Sequence, residues 1–345
     1  MNDLFLRVCR GQPVPRPPIW IMRQAGRYMA EYRAIRQRVD FLTLCKTPEL
    51  AAEVTLQPID ALGVDAAILF ADILLPLEAM GAELVFAKGS GPVFPQPIRQ
   101  RDDLARLQRP EVDASLGYVF EAIRVLRREL EGRVPLLGFG GTPWTLAAYL
   151  VEGKGSKQFP HLLAWSYRDP EGLALLLDHL AEVSADYLQG QVEAGAQAIQ
   201  LFDSWGGLLS AERWQAIALP PLLKIIERLR GLANQVPLIF YIQGGPHLLE
   251  TVGRQLPVDV ISVDWRLSLA ESRRRIGPEV AIQGNLDPTA LLAPVEEIER
   301  LAGELVVAGR GTRHIVNLGH GILPMTPVEH ARAFVRAVQG SASHS

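Results

Sequence analysis

Arg23 and Arg27 stand four residues apart in IWIMRQAGRYMAEYR, residues 19–33, directly behind an apolar run. A buried strand does not need to end on guanidinium groups. Arginine's planar fork suits carboxylate or phosphate bidentately. The pair therefore reads either as an anion clamp or as a solvated basic face shared with Arg33, Arg36 and Arg38. Gly26 lets the backbone turn close to a ligand, and a helix starting at residues 23–27 would add backbone N–H groups as a second anion device. Asp72 sits in the apolar stretch FADIL. A carboxylate there is costly unless it is compensated. It is either a structural ion pair with an arginine or an acid held in a cavity, facing donors or positive charge on a ligand. His320, flanked by Gly319 and Gly321, fits a structural histidine as well as a ligand contact. Ser204 has no histidine or acid partner in sequence, so ligand hydrogen bonding is expected of it rather than nucleophilic attack. Tyr149 either joins the core or aims its hydroxyl at a ligand.

Such side chains need a frame. Eight short apolar runs are rich in strand formers: residues 18–22, 66–70, 134–139, 198–202, 236–242, 258–263, 280–283 and 313–318. Most are nearly continuous in apolar residues, as strands covered on both faces are. Helical patterns lie between them. AERWQAIALPPLLKIIERLRG and PVEEIERLAGELVVAGRG repeat apolar residues at three and four. Thr142-Pro143 reads as N-cap and first helical position. Alternation of this kind predicts an α/β fold, a single-domain (β/α)8 TIM barrel. A doubly wound sheet is the competitor, but no GxGxxG follows the first run. Residues 1–340 are expected to form one domain, with 341–345 as a frayed tail.

Barrel enzymes place their chemistry at the carboxyl ends of the strands. In order, those positions carry Arg23 and Arg27; Asp72; residues 140–144; Asp203 and Ser204; Gln243; Asp264; Asn285 and Asp287; and His320. GFGG is expected to be a turn. None of the runs or rims carries a lysine, which a Schiff-base or pyridoxal-phosphate enzyme would need there. No HExxH or Cys/His cluster suggests a metal.

The chain has 345 residues, is 48% hydrophobic and 21% charged, and carries a formal charge of −3. Those values give no global pull toward nucleic acid or membrane. The apolar stretch 63–86 contains Asp65, Asp72, Glu78 and Glu83, unlike a spanning helix. Two cysteines without CxxC spacing, Cys9 and Cys45, and a first segment without a long apolar run suggest the reducing cytoplasm.

Six segments taken together, PPIWIMRQAGRYMAEYR, FADIL, GFGGTPWTLAAYLVEG, QLFDSWGG, QGNLDP and NLGHGILP, resemble the uroporphyrinogen decarboxylase family. The resemblance runs from about residue 4 to residue 338. It implies a (β/α)8 barrel and a homodimer with facing clefts. The implied reaction converts the four acetates of uroporphyrinogen III to methyls without metal or organic cofactor, giving coproporphyrinogen III. It also implies that Arg23 and Arg27 bind substrate carboxylates beside the backbone of Gln24, Ala25 and Gly26, and that Asp72 reaches the pyrrole N–H groups. Tyr149, Phe202, Ser204 and His320 match further substrate positions. Asp72 then stabilises a cationic pyrrole, and Arg23 stands beside the departing carboxylate. Two rivals remain: a corrinoid/thiol methyltransferase of the same superfamily, which needs a zinc-thiolate site, and a non-catalytic tetrapyrrole-binding paralogue.

Overall fold

The computed structural model describes residues 2–87 and 91–341. Of the tail expected to fray, 341–345, only Ser341 lies inside the described residues. Among the described residues nine strands follow in chain order: β1 Ala67–Ile68, β2 Val85–Ala87, β3 Gly91–Val93, β4 Leu136–Gly141, β5 Ala198–Asp203, β6 Leu238–Ile242, β7 Val260–Val263, β8 Ala281–Leu286 and β9 His314–Leu318. Seven form one curled parallel sheet in the order β1-β4-β5-β6-β7-β8-β9. Helices connect them, as parallel neighbours require. The antiparallel hairpin β2-β3, which sequence periodicity did not reveal, projects from the connection between β1 and β4.

The eighth expected strand is mostly absent. Of residues 18–22, only Ile19 forms a bridge, parallel to Val316 of β9. Yet the segment is held on both sides. Val316 N–H donates to Pro18 at 2.8 Å, Trp20 N–H to Val316 at 3.3 Å, and Asp65 N–H to Ile19 at 2.8 Å. Three prolines at 15, 17 and 18 remove backbone donors just where a longer ladder would begin.

GFGG, expected as a turn, lies in β4. A Cβ on Gly138 would strike the side chain of Gln191 from the helix Pro170–Ala194. Without it, the Gln191 amide reaches in and bonds both the N–H and the C=O of Phe139, each at 2.9 Å. The Thr142-Pro143 reading holds: the helix runs Pro143–Glu152, and the Thr142 hydroxyl accepts from Thr145 N–H. This N-cap places the helix at the carboxyl end of β4.

The apolar runs conceal a polar rung inside the curl. Trp20 Nε1 donates to Gln283 at 2.9 Å, and the Gln283 amide donates to Gln200 at 3.1 Å and to Ser262 at 2.9 Å. All four residues are fully buried or nearly so. This rung ties β5, β7 and β8 to the segment at residue 20, with Gln200 Nε2 the one amide group of its two glutamines that lacks a partner among the described residues.

Candidate active site

Arg23 and Arg27 lie in turns, not on a helix face; the next helix is Ala30–Arg36. The helix start expected at 23–27 is thus corrected. The reason is Gln24, fully buried, whose carbonyl oxygen Oε1 accepts from Ile21 N–H at 3.1 Å while Nε2 donates to Ala66 at 3.0 Å. Tyr28 donates to the Gln24 backbone carbonyl at 2.7 Å. These bonds staple the turn to the entry of β1 and occupy the Gln24 side chain. Arg23 adopts φ of 63°, a left-handed conformation that a non-glycine residue holds at a cost of roughly 1–3 kcal/mol. Its stem crosses Gly321, where a Cβ would strike Arg23 Cδ.

Asp72 follows β1. One oxygen accepts from Leu74 N–H at 2.9 Å. Burial raises its pKa above the ordinary carboxylate value, opposed by that N–H and, through space, by Arg23. Among the described residues Asp72 has no ion-pair partner, so the structural ion pair weighed for it does not form. Asp65 holds one instead: Arg16 NH1 at 2.7 Å and NH2 at 2.8 Å.

Two other segments bring side chains into the field of Arg23, and a third carries Phe202. Tyr149, on the helix Pro143–Glu152, feels Asp72 and Arg23, while burial dominates in raising its hydroxyl pKa. Its ring meets Trp205 at 6.0 Å between centroids. Phe202, on β5, stands edge-on between Phe139 at 5.7 Å and Tyr241 at 5.8 Å. His320 follows β9 and is pushed down to about 4, first by burial and then by Arg23 and Arg266. Ser204 is half-buried immediately after β5. Ala25 and Gly26 are half-buried within the turn. Arg27 is exposed and acts on Tyr32, apart from the convergence on Arg23.

The outcome is a mouth at the carboxyl ends of the strands. Its aromatic walls stand beside the carboxylate of Asp72, which has no ion-pair partner among the described residues, and a strained arginine. Such a surface can hold an apolar ring system by its faces and meet carboxylates at its edge. It can also stabilise positive charge developing near Asp72.

Several participants escaped the sequence reading. Tyr241 contacts His320. Arg266 binds Asp264 at 2.5 Å and lies 4.4 Å over the ring of Trp265, whose centroid is 6.4 Å from that of His320. Asp264 also accepts from Gly244 N–H at 2.6 Å, joining two rim turns. Asp203 accepts from Thr142 at 3.2 Å, Thr145 at 3.0 Å and Trp214 at 3.1 Å, fixing the turn that carries Ser204. Both aspartates were visible as rim residues. Arg266, two positions past one of them, was the available signal.

Among the described residues, no three His, Cys, Asp or Glu side chains group to hold a metal. Cys9 and Cys45 are buried, and burial pushes both thiols well above their ordinary range, against thiolate ligation. Nor, among the described residues, is any helix long and apolar enough to cross a membrane.

A family model described as uroporphyrinogen decarboxylase (URO-D) matches residues 1–341. The uroporphyrinogen decarboxylase of Pelobacter propionicus is 52% identical over 340 residues, covering 98% of each chain. That of Geobacter sulfurreducens is 49% identical with the same coverage. Among solved structures, a methyltransferase from Methanosarcina mazei superposes with a TM-score of 0.82 at 24% identity, covering 99% of this chain and 98% of that one. A B12-independent methionine synthase from Shewanella gives 0.57 at 14% identity, covering 89% of each. At those identities the two structures speak for the shared fold alone.

Proposed function

The chain belongs to the uroporphyrinogen decarboxylase family, and from that premise we propose that it removes carbon dioxide from the acetate side chains of uroporphyrinogen III to give coproporphyrinogen III in tetrapyrrole biosynthesis. One observation carries the assignment of the site: Asp72 stands without an ion-pair partner among the described residues, within the field of Arg23, at a mouth walled by aromatic rings.

The reaction needs a sink for the electron pair of the breaking C–C bond. Protonation of a pyrrole carbon next to nitrogen makes the ring cationic. The bond to the carboxylate breaks, its electrons enter the ring, and carbon dioxide leaves. Protonation of the exocyclic carbon then makes the methyl group, and loss of the proton first added to the ring carbon returns the pyrrole to its neutral form, so that one proton is taken up in exchange for each carbon dioxide. Asp72 accepts from the pyrrole N–H groups and stabilises the cation. A single preplaced electrostatic group of this kind is worth roughly 2.7–4 kcal/mol in the barrier. Arg23 orients the departing carboxylate, because arginine's high pKa makes it a poor proton donor. Arg27 meets an outer carboxylate. Tyr149, Ser204 and His320 bind around the macrocycle, Phe202 packs against it, and the 24–26 turn follows its edge.

The finer architecture belongs to the same reading. Residues 18–20, bonded to both edges of the seven-stranded sheet, close it as an eighth strand, and residues 1–340 act as one catalytic domain. The active form is a homodimer in the cytoplasm. No metal or organic cofactor takes part.

The test is an anaerobic turnover assay with chemically reduced uroporphyrinogen III, chelator present and no cofactor added. Products are oxidised and separated by carboxylate number. Conversion from eight carboxylates through to four is expected. Binding without conversion would return the chain to the non-catalytic paralogue, and conversion only in the absence of chelator would overturn the metal-free reading.

A further inference from the structure

Tyr241 lies on β6, fully buried. Its hydroxyl oxygen is 3.0 Å from the carbonyl oxygen of Gly319 and 3.0 Å from Nδ1 of His320. The two rings are nearly parallel, 14° apart. A phenol has one proton to give and can accept at the same oxygen. If it donates to Nδ1, the buried Gly319 carbonyl loses its donor among the described residues, and a buried acceptor left unpaired costs more than a typical hydrogen bond returns. If it donates to Gly319, Nδ1 must carry hydrogen and donate to the tyrosine oxygen. All three atoms are then paired in one directed chain.

The second arrangement puts the proton of a neutral imidazole on Nδ1. Nε2, which has no hydrogen-bond partner among the described residues, then presents a lone pair. The charged and titratable groups facing the ring are Arg23, whose stem crosses Gly321, Asp264 and Arg266 after β7, and Tyr241. Burial and the two guanidinium groups keep the free ring neutral near pH 7, its pKa down at about 4.

We propose that Tyr241 is a positioning residue that holds His320 as its Nδ1–H tautomer, so that a substrate carboxylate binds at Nε2 only together with one proton from solvent. The inference rests on the reading of His320 as a carboxylate ligand. A lone pair at Nε2 repels a carboxylate. The imidazolium instead donates from Nδ1 to the tyrosine oxygen and from Nε2 to the substrate. One N–H bond forms, one proton leaves solvent, and no other bond changes. The arriving negative charge supplies what the two arginines deny the free ring. Between the free and the substrate-bound pKa of the ring, KM therefore rises with pH by up to about tenfold per unit.

The decisive experiment is nitrogen NMR of the free protein with isotope-labelled histidine, the His320 signals being assigned by their loss in His320→Gln. The wild type is expected to show a neutral Nδ1–H ring. In Tyr241→Phe, Nδ1 has lost its acceptor, and the ring should switch to Nε2–H. The rise of KM from about pH 6 to 8 should flatten in the same variant, with a smaller change in kcat. An Nε2–H ring in the wild type overturns the proposal, as does a Phe variant that folds and keeps both tautomer and slope. Should that variant not fold, the wild-type spectrum still decides. The spectrum needs no substrate, so its failure is distinct from failure of the decarboxylase reading, which turnover alone tests.

Discussion

On the amino side of β1, the carboxylate of Asp65 accepts from both terminal nitrogens of Arg16, from Asn2 Nδ2 at 2.5 Å and from Ile19 N–H at 2.8 Å. On its carboxyl side, seven residues later, Asp72 accepts from one backbone N–H. The arginines divide the same way. Arg16 is spent on Asp65, whereas Arg23 sits in a left-handed turn with only through-space influence on Asp72. Two acids in one strand-and-loop segment thus do opposite work. The saturated one fastens the N-terminal segment to the sheet. The unsaturated one is left for a ligand. Space alone does not mark the functional end: a cavity of about 490 Å3 lies toward the other end, between the 11–17 loop and the turn before β9. Its Arg16 is already neutralised by Asp65, and the left-handed Arg23 and the unpaired carboxylate of Asp72 do not line it.

Swapping charge for amide at each acid breaks the comparison most directly. Asp65→Asn leaves the half-buried Arg16 without its counter-ion at a buried position and should cost on the order of 3 kcal/mol of stability, read by denaturant unfolding. Equal stability with wild type would erase the distinction between the two sites. Asp72→Asn should do the reverse: kcat falls by about 10²–10³ while the fold and much of the substrate binding persist. A near-wild-type kcat would remove charge stabilisation from the mechanism. The sign of its stability effect follows from the raised pKa. A carboxyl raised in the folded state favours folding below its unfolded value of 3.8, and that contribution is lost as pH rises through the folded value. The ionised form is therefore a burden at neutral pH, and the amide should unfold slightly later on heating. The acid limb of the wild-type rate profile should lie above the ordinary carboxylate range and vanish in the variant.

Smaller effects sharpen the picture on the arginine side. Arg27→Ala should raise KM roughly tenfold and weaken its salt dependence, as expected for one exposed charge-assisted contact. An unchanged KM would return Arg27 to the solvated-face reading. Gly321→Ala would push the Arg23 stem aside. Because that side chain is flexible, a loss of kcat/KM of about tenfold or less is expected, with little change in melting temperature.

All seven strands of the sheet were legible as apolar runs to within two or three residues, because strands covered on both faces must be apolar nearly throughout. The first run was legible as a segment but not as a strand, since its prolines limit the ladder. GFGG misled because glycine marks close approach as well as turns, and the partner, Gln191, lies more than fifty residues away. The helix start expected at 23–27 failed for a similar reason: Gln24 takes its partners from Ile21 and from Ala66 across the fold.

The sequence by itself determined which residue types stand at strand ends, the absence of lysine there, and a motif set specific enough to imply the family. These are local properties, carried by composition and order along the chain. Only the tertiary structure decided that Asp65 is paired and Asp72 is not, that Arg23 rather than Arg27 stands at the convergence, and that Tyr241 meets His320. Burial and pairing depend on neighbours brought from distant segments, and hydrogen-bond donors are assigned in space rather than along the chain.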